Sequence, residues 1–401
     1  MGDLDRIFSH VEENQSRIHE IVRMLVEKPS VNPPGDTTEP AEVTASLLSS
    51  MGFNVELVKA TDQKVNVVAE WNVGRPETIL FNGHLDTVPI GEKALWKFDP
   101  YSADISEEWM YGRGVADDKG AVGCVIAACE SIRRLGIEPG ANVIIHAVCD
   151  EEVGGQMGTS YLVKKGYANK ATYGYVLEAS TSKHRIFVRN SMKGGASLNI
   201  TVQGKTSHAA NPRDGINANL KMANLLLALN QTKFKFKPSK FLTPPTIAAG
   251  TIVQGGEKSN VIPGKCTSSS DIRYLPGMTE EAITSAIDRL MNRMKKSDKD
   301  LHVSYELKMG SHRAVELDQH QPVVGKAREM IKRVTGYSPR IMGGYGATDA
   351  SFLILDAKVP ALIGLGPADI DCGNVHGINE RVFTKKLIEY TKIYAGLILS
   401  S

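Results

Sequence analysis

Three apolar runs in the first half of the chain end abruptly in polar or charged residues: TILFNGHLD, NVIIHAVCDEE and YGYVLEAS, with helical segments between them. A strand with one wet face alternates polar and apolar residues, so continuous runs of this kind read as strands buried on both faces. Such strands, separated by helices, require an α/β sheet that is at least partly parallel. The same pattern says where function belongs, because open α/β sheets build their sites beyond the carboxyl ends of the strands.

Around this frame, residues 3–27 place Ile7, Val11, Ile18, Ile21, Val22, Leu25 and Val26 at helical spacing among charges. The stretch SVNPPGD then breaks the helix, since paired prolines lack amide donors. A second helical pattern runs from Thr38 to Met51, FNVELV reads as a strand, and GRGVADDKG opens a helix of small residues. From about Ile186 to His312 the pattern changes to alternation, in SLNITVQG, PTIAAGTIVQGG, KCTSSSDIRYL and LHVSYELKM, with helices expected over 217–229 and 280–294. That pattern describes an antiparallel sheet with two helices on one face. VVGKAREMIKRVTG, VPALIGLG and KKLIEYTKIYAGLIL return to the first pattern as helix, strand and helix. The expected organisation is an α/β domain over 1–187 and 313–401, with an inserted α+β domain over 188–312.

The charges exclude some partners. Among 401 residues, 47 are Lys or Arg and 45 are Asp or Glu, a formal net charge of +2. No basic footprint for nucleic acid or an anionic membrane surface stands out, so the expected ligand is a small molecule. The five cysteines are an odd number without a CxxC pair, which argues against a disulfide framework or thiolate zinc and for reduced thiols in the cytoplasm. The amino terminus is too polar for a signal peptide, and no run approaches the roughly 20 apolar residues that span a bilayer.

Polar residues gather where the apolar runs stop. His84 and Asp86, two apart, share a face if the strand persists; Asp117 and Asp118 precede a helix; Asp150, Glu151 and Glu152 close another strand; Glu178 closes a further one; His376 lies in GNVHGINE. Each has a plain structural explanation. A strand-end histidine is usually a packed structural residue, an acidic trio before Gly-Gly is usually a turn, and paired aspartates often cap a helix. Their convergence on one rim changes the balance, because clustered acids repel one another unless cations sit among them. Imidazoles with carboxylates suit borderline divalent ions, zinc foremost and then cobalt or manganese.

GHLDTVP, GRGVADDKG, CDEEVGG, GKTSHAANPRDGINA, SNVIPG, DIRYLPG, ATDASF and VHGINERV, in this order from about Phe81 to Val382, resemble the acetylornithine deacetylase and succinyl-diaminopimelate desuccinylase family of di-zinc hydrolases. Aminoacylases, carboxypeptidase G and related dipeptidases belong to the same group. The resemblance implies a zinc-peptidase catalytic domain carrying an inserted dimerisation or lid domain, and two divalent ions per chain. It makes Asp117 the bridging carboxylate, with His84 and Glu178 completing one metal and Glu152 and His376 the other. Asp86 would accept from the ring nitrogen of His84 that faces away from the metal. Glu151 would be the general base, taking a proton from a water between the metals and passing it to the leaving nitrogen. A cis peptide between Asp117 and Asp118 is also implied.

On composition alone His208 reads as a surface histidine; the resemblance makes it a donor to the scissile carbonyl oxygen, presented to the partner's site across a homodimer. Asn260 and Arg273 would hold the substrate's amide and carboxylate, a guanidinium fork matching the latter. Gly343, Gly344, Thr348 and Asp349 would line the amino-acid end, although Tyr345 interrupts the usual glycines there. His146, inside an apolar strand, reads as a core residue. The activity implied is hydrolysis of an N-acyl amino acid, with a dipeptidase or carboxypeptidase on the same metals as the alternative.

Overall fold

The computed structural model describes residues 2–344 and 346–400. It divides into two units, the first made of Met1–Ser191, Glu316–Gly344 and Thr348–Ser401. The second is Met192–Val315 with residues 346–347. The cuts at 191/192 and 315/316 fall a few residues beyond the 187/188 and 312/313 expected from the change in pattern. The buried strand Val188–Met192 keeps most of its length with the first unit.

The first unit is built on a six-stranded mixed sheet. In spatial order its strands are Asn54–Lys59, Val65–Trp71, Asn142–Val148, Thr78–His84, Tyr173–Val176 and Ala361–Leu362. Thr78–His84 runs parallel to both neighbours, pairing Phe81 with Ile145 on one side and with Tyr175 on the other. Val65–Trp71, a strand missed in the sequence pattern, pairs antiparallel with its neighbours and makes the sheet mixed. Alternate residues such as Ile79, Phe81, Val143 and Ile145 share a core with helices Gln15–Val26, Lys119–Arg134 and Thr384–Leu399. Burying each aliphatic side chain there contributes about 1.5–3 kcal/mol. Lys119–Arg134 approaches its neighbour closely because it is rich in small residues. A Cβ at Gly123 would lie 2.7 Å from Val22 Cγ2.

The amino-terminal helix is two helices, Asp3–Glu13 and Gln15–Val26. They part at Asn14, whose side-chain amide donates to the His10 carbonyl oxygen at 2.8 Å, the kind of local bond by which Asn competes with helix continuation. Among the described residues no helix is long and apolar enough to cross a membrane. All five cysteines are free.

The second unit holds a four-stranded antiparallel sheet in the order Thr246–Gly255, Lys265–Tyr274, Gly194–Gln203, His302–Met309. One face alternates inward through Leu198, Ile200, Val202 and Ile272. It shares a core with Met222, Leu225 and Leu229 of helix Ala218–Asn230 and Ile283, Ile287 and Leu290 of helix Glu280–Ser297.

Candidate dinuclear metal centre

The parallel strands deliver their ends to one rim. His84 is the last residue of Thr78–His84, Glu151 and Glu152 follow Asn142–Val148, and Glu178 follows Tyr173–Val176. Asp117 precedes helix Lys119–Arg134, joined to Asp118 by a cis peptide. Asp118 stands at the N-cap position of that helix but makes no side-chain cap bond. Its Oδ2 instead accepts from the His84 backbone N–H at 3.3 Å. Gly83 makes room for this contact, since a Cβ there would lie 2.7 Å from that oxygen.

Asp117 sits between two histidines. His84 Nε2 lies 2.9 Å from Asp117 Oδ1, and His376 Nε2 lies 3.1 Å from Oδ2. Glu178 Oε1 is 4.0 Å from His84 Nε2, and Glu152 Oε2 is 3.2 Å from His376 Nε2. Two donor sets result, His84–Asp117–Glu178 and Asp117–Glu152–His376, each with its ligand atoms within 4.8 Å of one another. The sets share Asp117.

Their chemistry fits divalent cations: two imidazoles with three carboxylates is a zinc-type donor set. Glu152 Oε1 is buried without a hydrogen-bond partner among the described residues, which leaves an acceptor for an ion. Burial, reinforced by the Asp117 charge, pushes the Glu178 carboxyl up to about 7. Burial pushes up Glu151 and Glu152 too. Burial works against the charge on Asp117, but the rings of His376 and His84 beside it hold its carboxyl far below the usual range. Bonds to Asp117 and Glu152 raise His376 to about 10. Without cations the cluster therefore recruits protons to relieve its repulsion.

Asp86 is fully buried and braces the rim. Its carboxylate accepts from the Asn32 side-chain amide at 2.8 Å and from the backbone N–H groups of Glu151 (3.1 Å) and Glu152 (3.3 Å). His84 Nδ1 lies 2.9 Å from the Asp86 carbonyl oxygen and 3.5 Å from the carboxylate, so the nearer acceptor is the backbone.

Thr348 and Asp349 are each 1% exposed. The Thr348 hydroxyl donates to the Ile363 carbonyl oxygen at 3.2 Å, and Asp349 accepts from the Thr159 hydroxyl at 2.6 Å. Tyr345 lies outside the described residues. In the second unit, His208 and Asn260 fall on adjoining segments, with the Ala209 N–H donating to the Asn260 carbonyl oxygen at 2.9 Å. Arg273 stands on the sheet face opposite that unit's core and pairs with Asp271 at 2.8 Å. His146 is fully buried, and burial lowers it to about 3, which keeps it neutral in the core.

The sequence reading gave no role to Asn32, Arg113, Arg189 or Glu380. Arg189 is a charged residue in an otherwise uncharged buried strand, VRNSM. Arg113 and Glu380 were visible as charges inside glycine-containing motifs beside proposed ligands, which was the available signal.

Residues 80–400 match the profile described as Peptidase family M20/M25/M40. The chain belongs to this family. It is a metallohydrolase acting on amide bonds. A Bacillus subtilis protein named N-formyl-4-amino-5-aminomethyl-2-methylpyrimidine deformylase is 26% identical over 97% of this chain and 96% of its own length. An M20 family metallo-carboxypeptidase of Sulfolobus solfataricus superposes with a TM-score of 0.78 at 20% identity, covering 96% of this chain and 99% of that one. A Bacillus subtilis protein described as a dinuclear metal-binding peptidase gives 0.67 at 15% identity, covering 97% and 98%. Both likenesses establish the fold.

Proposed function

We propose that the enzyme removes an acyl group from the nitrogen of an amino acid, as acetylornithine deacetylases and succinyl-diaminopimelate desuccinylases do. The observation that supports two-metal hydrolysis of an amide is Asp117 shared between two donor sets. His84, Asp117 and Glu178 would hold one divalent ion and Asp117, Glu152 and His376 the other, with zinc favoured over cobalt or manganese. Bound ions supply Lewis acidity toward the amide carbonyl and an activated water.

The chain's own residues divide the remaining work. Glu151 is the general base, which as a carboxylate takes a proton from water and then passes it to the leaving nitrogen. Asp86 holds the Glu151 and Glu152 backbone in register. His208 Nδ1 accepts the Ala210 N–H at 3.1 Å, which leaves the proton of a neutral ring on Nε2, the tautomer that donates to a carbonyl oxygen. Arg273 and Asn260 take the substrate's carboxylate and amide, and Thr348 and Asp349 line its amino-acid end.

A homodimer in which His208 serves the partner's site agrees with the second unit's surface. Its edge strand exposes Ile252 and Val253, and the neighbouring helix exposes Leu220 and Leu227. Apolar groups beside an open strand edge favour pairing with another chain. The proposed setting is the cytoplasm.

The named deformylase relative, aligned over nearly the whole chain, favours an N-acyl substrate. A panel of N-formyl, N-acetyl and N-succinyl amino acids and unblocked dipeptides, run with zinc, cobalt and manganese, tests this. An N-acyl amino acid should lead in kcat/KM by orders of magnitude. A lead for dipeptides would replace this reading with a dipeptidase or carboxypeptidase on the same ions.

A further inference from the structure

Arg113 and Glu380 form an ion pair in which both side chains are 1% exposed. Neither is among the proposed ligands, yet the pair grips the backbone of two of them. Glu380 Oε1 accepts from the N–H groups of Gly114 (3.0 Å), Ala116 (3.0 Å) and Asp117 (3.2 Å). Its Oε2 receives Arg113 Nη1. Arg113 Nη2 donates to the carbonyl oxygens of Pro89 (3.0 Å), His376 (3.3 Å) and Gly377 (3.1 Å). One buried pair therefore fastens residues 113–117 to residues 376–380.

The His376 loop needs such a fastening. Asn374, His376 and Asn379 have φ values of 49°, 64° and 60°. Non-glycine residues occupy this left-handed region at a cost and stay there when their surroundings impose it. The His376 side chain is 52% exposed, so packing does not fix its ring. His84 differs on each count: it closes a strand paired on both sides, is 2% exposed, and has Nδ1 set against the Asp86 carbonyl. Among the described residues, neither Arg113 nor Glu380 bonds to His84 or Glu178.

The geometry points to Arg113 and Glu380 as positioning residues that hold Asp117 and His376 in ligating geometry, so that the Asp117–Glu152–His376 half, which needs both, depends on the pair far more than the other half, where His84 and Glu178 stand at the ends of their own strands. This rests on the two-metal reading above. The fork is what matters: one nitrogen pairs with Glu380 while another spans three carbonyls, and a lysine ammonium has no such planar fork.

The test is metal stoichiometry and affinity. Stripped protein is titrated with Co2+ under equilibrium dialysis, counted by mass spectrometry and followed by visible absorption. Wild-type protein that takes up fewer than two ions per chain contradicts the two-metal reading itself, so it is scored first. In Arg113→Lys and Glu380→Gln, one ion should bind within about threefold of wild type and the other about 10–100-fold more weakly, the range for losing a group that supports a metal ligand. Leu25→Ala, a core truncation in helix Gln15–Val26, controls for stability and should keep both ions. Equal weakening of both ions, no weakening of either in a folded variant, or a matching loss in Leu25→Ala overturns the assignment. If Glu380→Gln does not fold, Arg113→Lys, which keeps a charge opposite Glu380, decides the question.

Discussion

Replacing Asp86 with alanine removes three hydrogen bonds at once, because its buried carboxylate accepts from Asn32, Glu151 and Glu152. Each donor left buried without a partner costs about 1–3 kcal/mol, and two of the three are backbone N–H groups that cannot turn away. Allowing for partial relaxation or entry of water, the metal-loaded protein should lose roughly 3–6 kcal/mol of stability. The metal-free protein should lose less, because deleting Asp86 also relieves its repulsion with the Asp150 carboxyl. The peptide carrying Glu151 and Glu152 loses its register, so metal affinity should fall about 10–100-fold. Turnover should fall at least about 100-fold, the usual cost of displacing catalytic groups by an ångström. Urea unfolding with and without metal, metal titration and kcat/KM on the best substrate measure all of these. Asp86→Ala protein with metal affinity and kcat/KM both within threefold of wild type would refute the bracing role.

Other outcomes follow from the same geometry. Glu151→Gln should lower kcat by about 10²–10⁴-fold while retaining both metals, as read by mass spectrometry beside steady-state kinetics. His208→Ala should cost about 2.7–4 kcal/mol of transition-state stabilisation. Mixing His208→Ala with Glu151→Gln should restore activity that neither has alone, because a mixed dimer contains one intact site; no restoration contradicts action across the interface. Metal-free protein should lose stability as pH rises from 5 to 9. Glu178, raised to about 7, is favoured protonated in the fold and loses that advantage as it ionises. His376, raised to about 10, contributes stability below its unfolded pKa and loses it as pH climbs toward its folded one. Melting curves across that range should slope down for metal-free protein and stay nearly flat for the metal-loaded form.

The strand ends were legible in the sequence because the buried parallel strands announce themselves as apolar runs that stop at charge, and His84, Glu152 and Glu178 stand where those runs stop. Val65–Trp71 escaped notice because ATDQK, which joins it to the preceding strand, contains neither glycine nor proline to mark a turn. The break at Asn14 was hidden by apolar residues that keep helical spacing across it. The residues that support the site were harder to read than its proposed ligands. Asn32 reaches Asp86 across 54 positions and Arg113 reaches Glu380 across 267, so no local pattern pairs them. Thr348 and Asp349, expected to line a substrate pocket, also hydrogen-bond Ile363 and Thr159, contacts that a motif does not carry.

The central claim is that Asp117 is shared by two metal ions. Anomalous diffraction at the zinc edge, from crystals of zinc-loaded protein, tests it most directly. Two peaks should flank the Asp117 carboxylate, roughly 3.5–4 Å apart, one beside His84 and Glu178 and the other beside Glu152 and His376. A single peak, or peaks that leave Asp117 outside the ligand set, would contradict it.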